Sequence, residues 1–210
     1  MHNSLKDFLT ELRERGFLFL GDVPLEEDIQ RYLIDPANYT DELPTEDNRY
    51  FPPPQSLVSK PLPAKISEYL TLSMLSKFPF LAEIPRMVWD SRLTTTGFFL
   101  PMHRDPIVRE NSKHEPLEFI MWVCPTPFEG REFIYGDVPD NGIDLIGNIY
   151  GTADGNNFEY PGIRILGEVK PRTGLCCFFD KESIKWWHAV RPMISGGPVV
   201  VLYCLMEGSW

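Results

Sequence analysis

The chain has 210 residues, of which 43% are hydrophobic and 24% charged, and its net charge is −10. That length covers one large domain or two small ones, with enough apolar side chains for a sizeable core and no sign of disorder. Thirty acidic side chains against 20 basic ones, with no basic run, make nucleic acid a poor partner.

The first residues carry charges and lack the apolar stretch of a signal peptide, and no uncharged segment approaches the ~18 residues of a membrane span. A soluble, cytoplasmic protein with no membrane association is expected. Cys124, Cys176, Cys177 and Cys204 have no CxxC spacing and sit in apolar runs, as buried thiols do. The sequence is silent on oligomeric state.

In chain order, Leu5, Phe8, Leu9 and Leu12 recur at helical spacing and predict a helix over 3–15, with Asn3 or Ser4 as its cap. Gly16 ends it, and Phe17-Leu18-Phe19-Leu20 reads as a short buried strand. A second helix is predicted over 25–34. Residues 35–63, rich in Pro, Asp and Asn, read as an irregular loop, stiffened at Pro52, Pro53 and Pro54. A third helix follows over 64–77, with Ile66, Leu70, Leu72, Met74 and Leu75 as its apolar positions.

From residue 86 onward the pattern turns to β. Strands are predicted over 87–95, 96–101, 117–124, 131–136, 163–169, 174–179, 186–191 and 198–206. Turn signals such as Asp140-Asn141-Gly142 and Ser195-Gly196-Gly197-Pro198 separate them. About eight short strands with regular turns define a barrel or jelly roll. The expected architecture is mainly β: one domain, residues 1–210, with a helical N-terminal support over 1–85 packed outside a β core over 86–210.

The chain has four histidines: His2 at the terminus, His103, His114 in a polar loop stretch, and His188. His103-Arg104-Asp105 follows a predicted strand. In extended backbone residues i and i+2 face the same way, so one metal can take both the imidazole and the carboxylate. His188 lies in another predicted strand, within Trp186-Trp187-His188-Ala189-Val190. Two histidines and one carboxylate form the facial triad of non-haem iron(II) oxygenases, which leaves three coordination positions open. No GxSxG, HExxH or kinase signature accompanies these residues.

Around the triad, four segments carry a family likeness. Thr96-Gly97-Phe98-Phe99-Leu100-Pro101-Met102-His103-Arg104-Asp105 is similar to a strand, glycine and aromatic followed by HxD. Phe128-Glu129-Gly130-Arg131-Glu132-Phe133 is similar to an EGGE turn. Val169-Lys170-Pro171-Arg172-Thr173-Gly174, then Cys177-Phe178-Phe179-Asp180, is similar to a V.P..G....F segment, and His188-Ala189-Val190-Arg191-Pro192-Met193 to H.V.PV. In this order and spacing, residues 88–206 resemble the catalytic core of the 2-oxoglutarate and iron(II)-dependent dioxygenases, closest in flavour to the prolyl and aspartyl/asparaginyl hydroxylases.

The resemblance implies a double-stranded β-helix, cupin-like, with iron(II) held by His103, Asp105 and His188 and with 2-oxoglutarate and O2 consumed. It implies hydroxylation, desaturation or cyclisation at a C–H bond of a small-molecule or amino-acid-like substrate. Asp105 fills the carboxylate position that a halide needs, which disfavours halogenation. The pattern is broken at one point. The family's basic residue about ten positions after the distal histidine falls here on Pro198, and residues 199–206 contain no Lys or Arg. The candidates to hold the far carboxylate of 2-oxoglutarate are then Arg131, Arg92 and Arg191, because a guanidinium pairs well with a carboxylate. Two alternatives stay open: an iron(II) oxygenase of this fold that does not use 2-oxoglutarate, and a non-catalytic metal-binding module.

Overall fold

The structure, a computed structural model, describes residues 4–41, 56–103, 117–137, 164–180 and 187–207. Its first helix, α1 (Leu5–Arg15), begins where the Ser4 hydroxyl accepts a hydrogen bond from the Asp7 N–H, and ends at Gly16, whose φ of 80° is left-handed. It buries Leu5, Phe8, Leu9 and Leu12, the four positions that its spacing predicts. Helix α2 (Glu27–Ile34) buries Leu33, and α3 (Ala64–Lys77) buries Leu70 and Met74. Leu72 of α3 is 60% exposed, since a residue two positions from Leu70 lies round the helix from the buried stripe.

Thirteen strands follow one another along the described chain: β1 (Phe17–Leu20), β2 (Tyr39–Asp41), β3 (Ser56–Ser59), β4 (Arg86–Thr94), β5 (Leu100–His103), β6 (Leu117–Val123), β7 (Phe128–Gly130), β8 (Phe133–Asp137), β9 (Arg164–Val169), β10 (Cys176–Phe179), β11 (Trp187–Val190), β12 (Met193–Gly196) and β13 (Val199–Glu207). They form a seven-stranded sheet ordered β1-β10-β6-β13-β4-β3-β2 and a four-stranded sheet ordered β5-β11-β8-β9; β12 and β7 pair separately. Every pairing is antiparallel.

The irregular loop expected over 35–63 needs correction in its described parts; residues 42–55, with Pro52, Pro53 and Pro54, lie outside the described residues. Pro36–Asn38 forms a 3-10 turn, and β2 and β3 extend the large sheet through β4. Short strands of polar and β-branched residues at a sheet edge carry little periodicity, so the segment reads as loop. The first 85 residues thus supply three strands as well as the helices.

Alternation explains the long apolar runs. On β6, Phe119, Met121 and Val123 join the cluster beneath the helices, whereas Ile120 and Trp122 join the cluster between the two sheets. On β10, Cys176 and Phe178 face the helices while Cys177 and Phe179 face inward, and β13 divides Val200, Leu202 and Cys204 from Val199 and Val201 in the same way. A sheet buried on both faces reads as a continuous hydrophobic stretch, and period two then sorts its residues between two cores.

One glycine ties the N-terminal segment to the sheet. Gly174 has φ of 82°; its carbonyl accepts the Val23 N–H at 2.8 Å and its own N–H donates to the Trp122 carbonyl at 2.9 Å. A Cβ at this position would stand 2.1 Å from the Val23 carbonyl oxygen. Gly174→Ala is expected to cost about 2–4 kcal/mol, from left-handed strain plus forced backbone movement, measured as a lower midpoint of denaturant unfolding.

Candidate functional site

Strands β5 and β11 are neighbours, and their register sets His103 directly opposite His188. On the other side of β11, β8 sets Tyr135 opposite His188, and β9 sets Gly167 opposite Tyr135. One row therefore crosses the whole four-stranded sheet: His103, His188, Tyr135, Gly167. Opposed residues of antiparallel strands share a face, and for His188 and Tyr135 that face is the interior. Phe133, two positions from Tyr135, stacks on the His188 ring with centroids 5.5 Å apart and planes 19° apart. His188 is 7% exposed. Asp105, the third expected ligand, lies outside the described residues, as do His2 and His114; among the described residues no three His, Cys, Asp or Glu side chains are gathered.

The three candidate arginines differ sharply. Arg191 is on the surface and pairs with Glu168 at 3.1 Å. Arg92 is half-buried on β4 opposite Val201, whose side chain belongs to the interior cluster, and its guanidinium lies 6.0 Å from the centre of the Tyr203 ring. Arg131 is 1% exposed. Its Nε, Nη1 and Nη2 atoms are all sealed from solvent without a hydrogen-bond partner among the described residues. The face of Phe98 lies 5.1 Å away, and the titratable neighbours are the Cys124 thiol and the Tyr203 phenol. Burial pushes the Arg131 guanidinium down to about 10, with Cys124 and Tyr203 drawing it back up. Burial pushes the Cys124 thiol up to about 12, with Arg131 pulling the other way.

The backbone that delivers Arg131 is itself unusual. Arg131 has φ of 65°, the only left-handed non-glycine among the described residues, directly after Gly130 at φ of 79°. Both are pinned by Pro192: its carbonyl accepts the Arg131 N–H at 3.1 Å and would stand 2.2 Å from any Cβ at Gly130. The turn between β7 and β8 thus holds a long side chain in a conformation that glycine adopts more easily. A left-handed backbone and a buried charge without a hydrogen-bond partner among the described residues are two costs at one residue, and such costs gather at functional positions.

Two members of this neighbourhood escape sequence inspection. Tyr135 belongs to the row only because β8 pairs with β11. Gly167 leaves room for it: a Cβ there would lie 2.5 Å from the Tyr135 hydroxyl oxygen. The alternation of Phe133, Tyr135 and Asp137 marks a strand face, but the neighbouring strand is a matter of topology.

No family model matches the chain, and no curated protein matches it. Solved structures do. HygX from Streptomyces hygroscopicus, with nickel and 2-oxoglutarate bound, superposes with a TM-score of 0.61 at 13% identity, covering 98% of this chain and 87% of that one. A prolyl hydroxylase from Trichoplax adhaerens, in complex with a peptide fragment of hypoxia inducible factor, gives 0.57 at 10%, covering 95% and 86%. A prolyl-4-hydroxylase from Pseudomonas putida gives 0.52 at 15%, covering 96% and 97%. The class that these likenesses define is a fold: the chain is a double-stranded β-helix of the kind found in 2-oxoglutarate and iron(II) oxygenases, with helices packed outside, as the motifs predict.

Proposed function

We propose that this chain is a non-haem iron(II), 2-oxoglutarate-dependent oxygenase that acts on a C–H bond of a small-molecule or amino-acid-like substrate. The observation that carries the reading is the register that sets His103 against His188 on adjacent strands of the four-stranded sheet, in the fold whose solved members include a nickel and 2-oxoglutarate complex.

The donor set fits the metal. Two imidazoles and the Asp105 carboxylate suit iron(II), and they leave open positions for a chelating cosubstrate and oxygen. The buried Arg131 guanidinium fits the cosubstrate. It presents a fork of N–H donors with no hydrogen-bond partner among the described residues, in an apolar surrounding, the situation that a carboxylate relieves by paired charge-assisted hydrogen bonds. Arg131 thereby answers the missing basic residue near position 198, and weakens the alternative in which no oxo acid is used. Arg92 and Tyr203 border the same interior; Arg191 already has Glu168.

When bound, iron(II) with 2-oxoglutarate and O2 supplies the oxidising power for C–H cleavage. The chain's own share is positioning. Phe133 fixes the plane of the His188 ring, Arg131 orients an anion, and Phe98, Trp122 and Phe133 keep water from the interior. Anaerobic titration of the iron-loaded protein with 2-oxoglutarate is expected to raise a weak visible charge-transfer band that saturates. Iron binding with no band would leave the oxygenase that does not use 2-oxoglutarate as the better account.

A further inference from the structure

The three side-chain nitrogens of Arg131 are buried and have no hydrogen-bond partner among the described residues. A long side chain that no hydrogen bond fixes must be held some other way, because its torsions are otherwise free. Phe98 supplies the hold. The Arg131 Cζ atom lies over the Phe98 ring, 5.1 Å from its centroid. A cation over an aromatic face is attracted by the ring's electrons, most strongly where water is excluded. Water is excluded here, since Phe98 is buried in the interior cluster with Trp122, Phe133 and Val201.

Ring and cation share one mount. The Pro192 carbonyl accepts the Arg131 N–H at 3.1 Å. The next residue, Met193, donates its N–H to the Phe98 carbonyl at 3.0 Å, and its own carbonyl accepts the Gly97 N–H at 2.7 Å. The Phe98 N–H donates to the Thr95 carbonyl at 3.1 Å, which closes the turn between β4 and β5. Two turns distant in sequence, one carrying Phe98 and the other Arg131, are thus fixed to consecutive residues at the join of β11 and β12. Met193 is buried, so the mount lies inside the core. Backbone hydrogen bonds therefore set where the ring stands relative to the guanidinium.

We infer that Phe98 is a positioning residue of the cosubstrate site: its ring holds the plane of the Arg131 guanidinium, so that the cation meets the far carboxylate of 2-oxoglutarate along its edge, with two N–H groups at once. The inference rests on the oxygenase reading and adds to it a residue that acts only through Arg131. A carboxylate pairs with a guanidinium in the plane of the fork, and a face covered by a ring leaves that plane as the way in. Holding the fork before the ligand arrives removes part of the ordering cost of binding.

The test compares two oxo acids by the charge-transfer band of the iron-loaded protein. One is 2-oxoglutarate; the other is 2-oxobutanoate, which has the same chelating end and no second carboxylate. The wild type is expected to bind 2-oxoglutarate about 100-fold tighter. Phe98→Leu keeps the surroundings apolar and removes the flat face. It is expected to lower that preference about 10-fold, with 2-oxobutanoate affinity held within about threefold and the thermal shift on iron(II) binding unchanged. Phe98→Tyr keeps the face and is expected to hold the preference within about threefold of wild type. Phe98→Met, longer than leucine and equally without a face, reads the same loss where the leucine variant does not fold. An unchanged preference in the leucine or methionine variant, equal weakening of both oxo acids, or the same loss in the tyrosine variant would overturn the inference while the oxygenase reading stands. A wild-type protein that binds iron and gives no band with either oxo acid would remove the oxygenase reading's cosubstrate, and the inference with it.

Discussion

Replacing Arg131 with methionine is expected to stabilise the ligand-free protein and to abolish its response to 2-oxoglutarate. The two effects have one cause. A guanidinium that is 1% exposed, with no hydrogen-bond partner for any of its three nitrogens among the described residues, is a charge removed from water without compensation. Replacing buried charge with an apolar side chain of similar length is often stabilising by about 1–4 kcal/mol, several degrees in melting temperature for a chain of this size. The pH dependence has a definite sign. The folded value of the guanidinium lies below its ordinary value, at about 10, so the penalty is fully present at neutral pH and fades only as pH rises past that value. Loss of a buried charge-assisted contact to the ligand is expected to weaken 2-oxoglutarate binding by about a hundredfold or more. Melting curves with and without 2-oxoglutarate, together with the charge-transfer titration, read both effects. A variant that is less stable and still binds the oxo acid would remove Arg131 from the site.

His188→Ala is expected to abolish tight iron binding. In the wild type, iron(II) at a hundredfold excess over its Kd should add about 2.7 kcal/mol to folding stability, which is about 5–10 °C in melting temperature at this length. The alanine variant should show no such shift and should retain no iron after gel filtration. The imidazole is held by the Phe133 stack at 5.5 Å and by its place in a fully buried strand, so its loss also leaves a void against Phe133. Arg191→Ala, on a surface residue paired with Glu168, serves as the control and should leave the iron shift intact.

Much of this molecule is legible in its sequence. Leu5, Phe8, Leu9 and Leu12 give α1 its register, and strands β4, β6, β10, β11 and β13 fall within a residue or two of their expected bounds, because both depend on local periodicity. His103 and His188 stand out because histidine is rare here and each sits at a strand. Their direct opposition is not local information, since 85 residues separate them and only the pairing of β5 with β11 joins them. The same limit hides Tyr135, whose neighbours are chosen by topology. Arg131 is a mixed case. Its place in Glu129-Gly130-Arg131-Glu132 puts it where the family turn has a second glycine, which foreshadows the positive φ, but the depth of its burial does not follow from the turn. The short strands β2, β3, β7 and β12 have too few residues to display a period.

The strand order also constrains how the chain can be assembled. β1 pairs with β10 across about 160 residues of sequence, and β13, the last of the described strands, lies in the middle of the large sheet between β6 and β4. A polypeptide emerging from the ribosome presents β4 and β6 long before the strand that belongs between them. Until β13 arrives, both have bare hydrophobic edges. The large sheet therefore cannot close until its last strand is made, and the edges of β4 and β6 are exposed to wrong pairing until then.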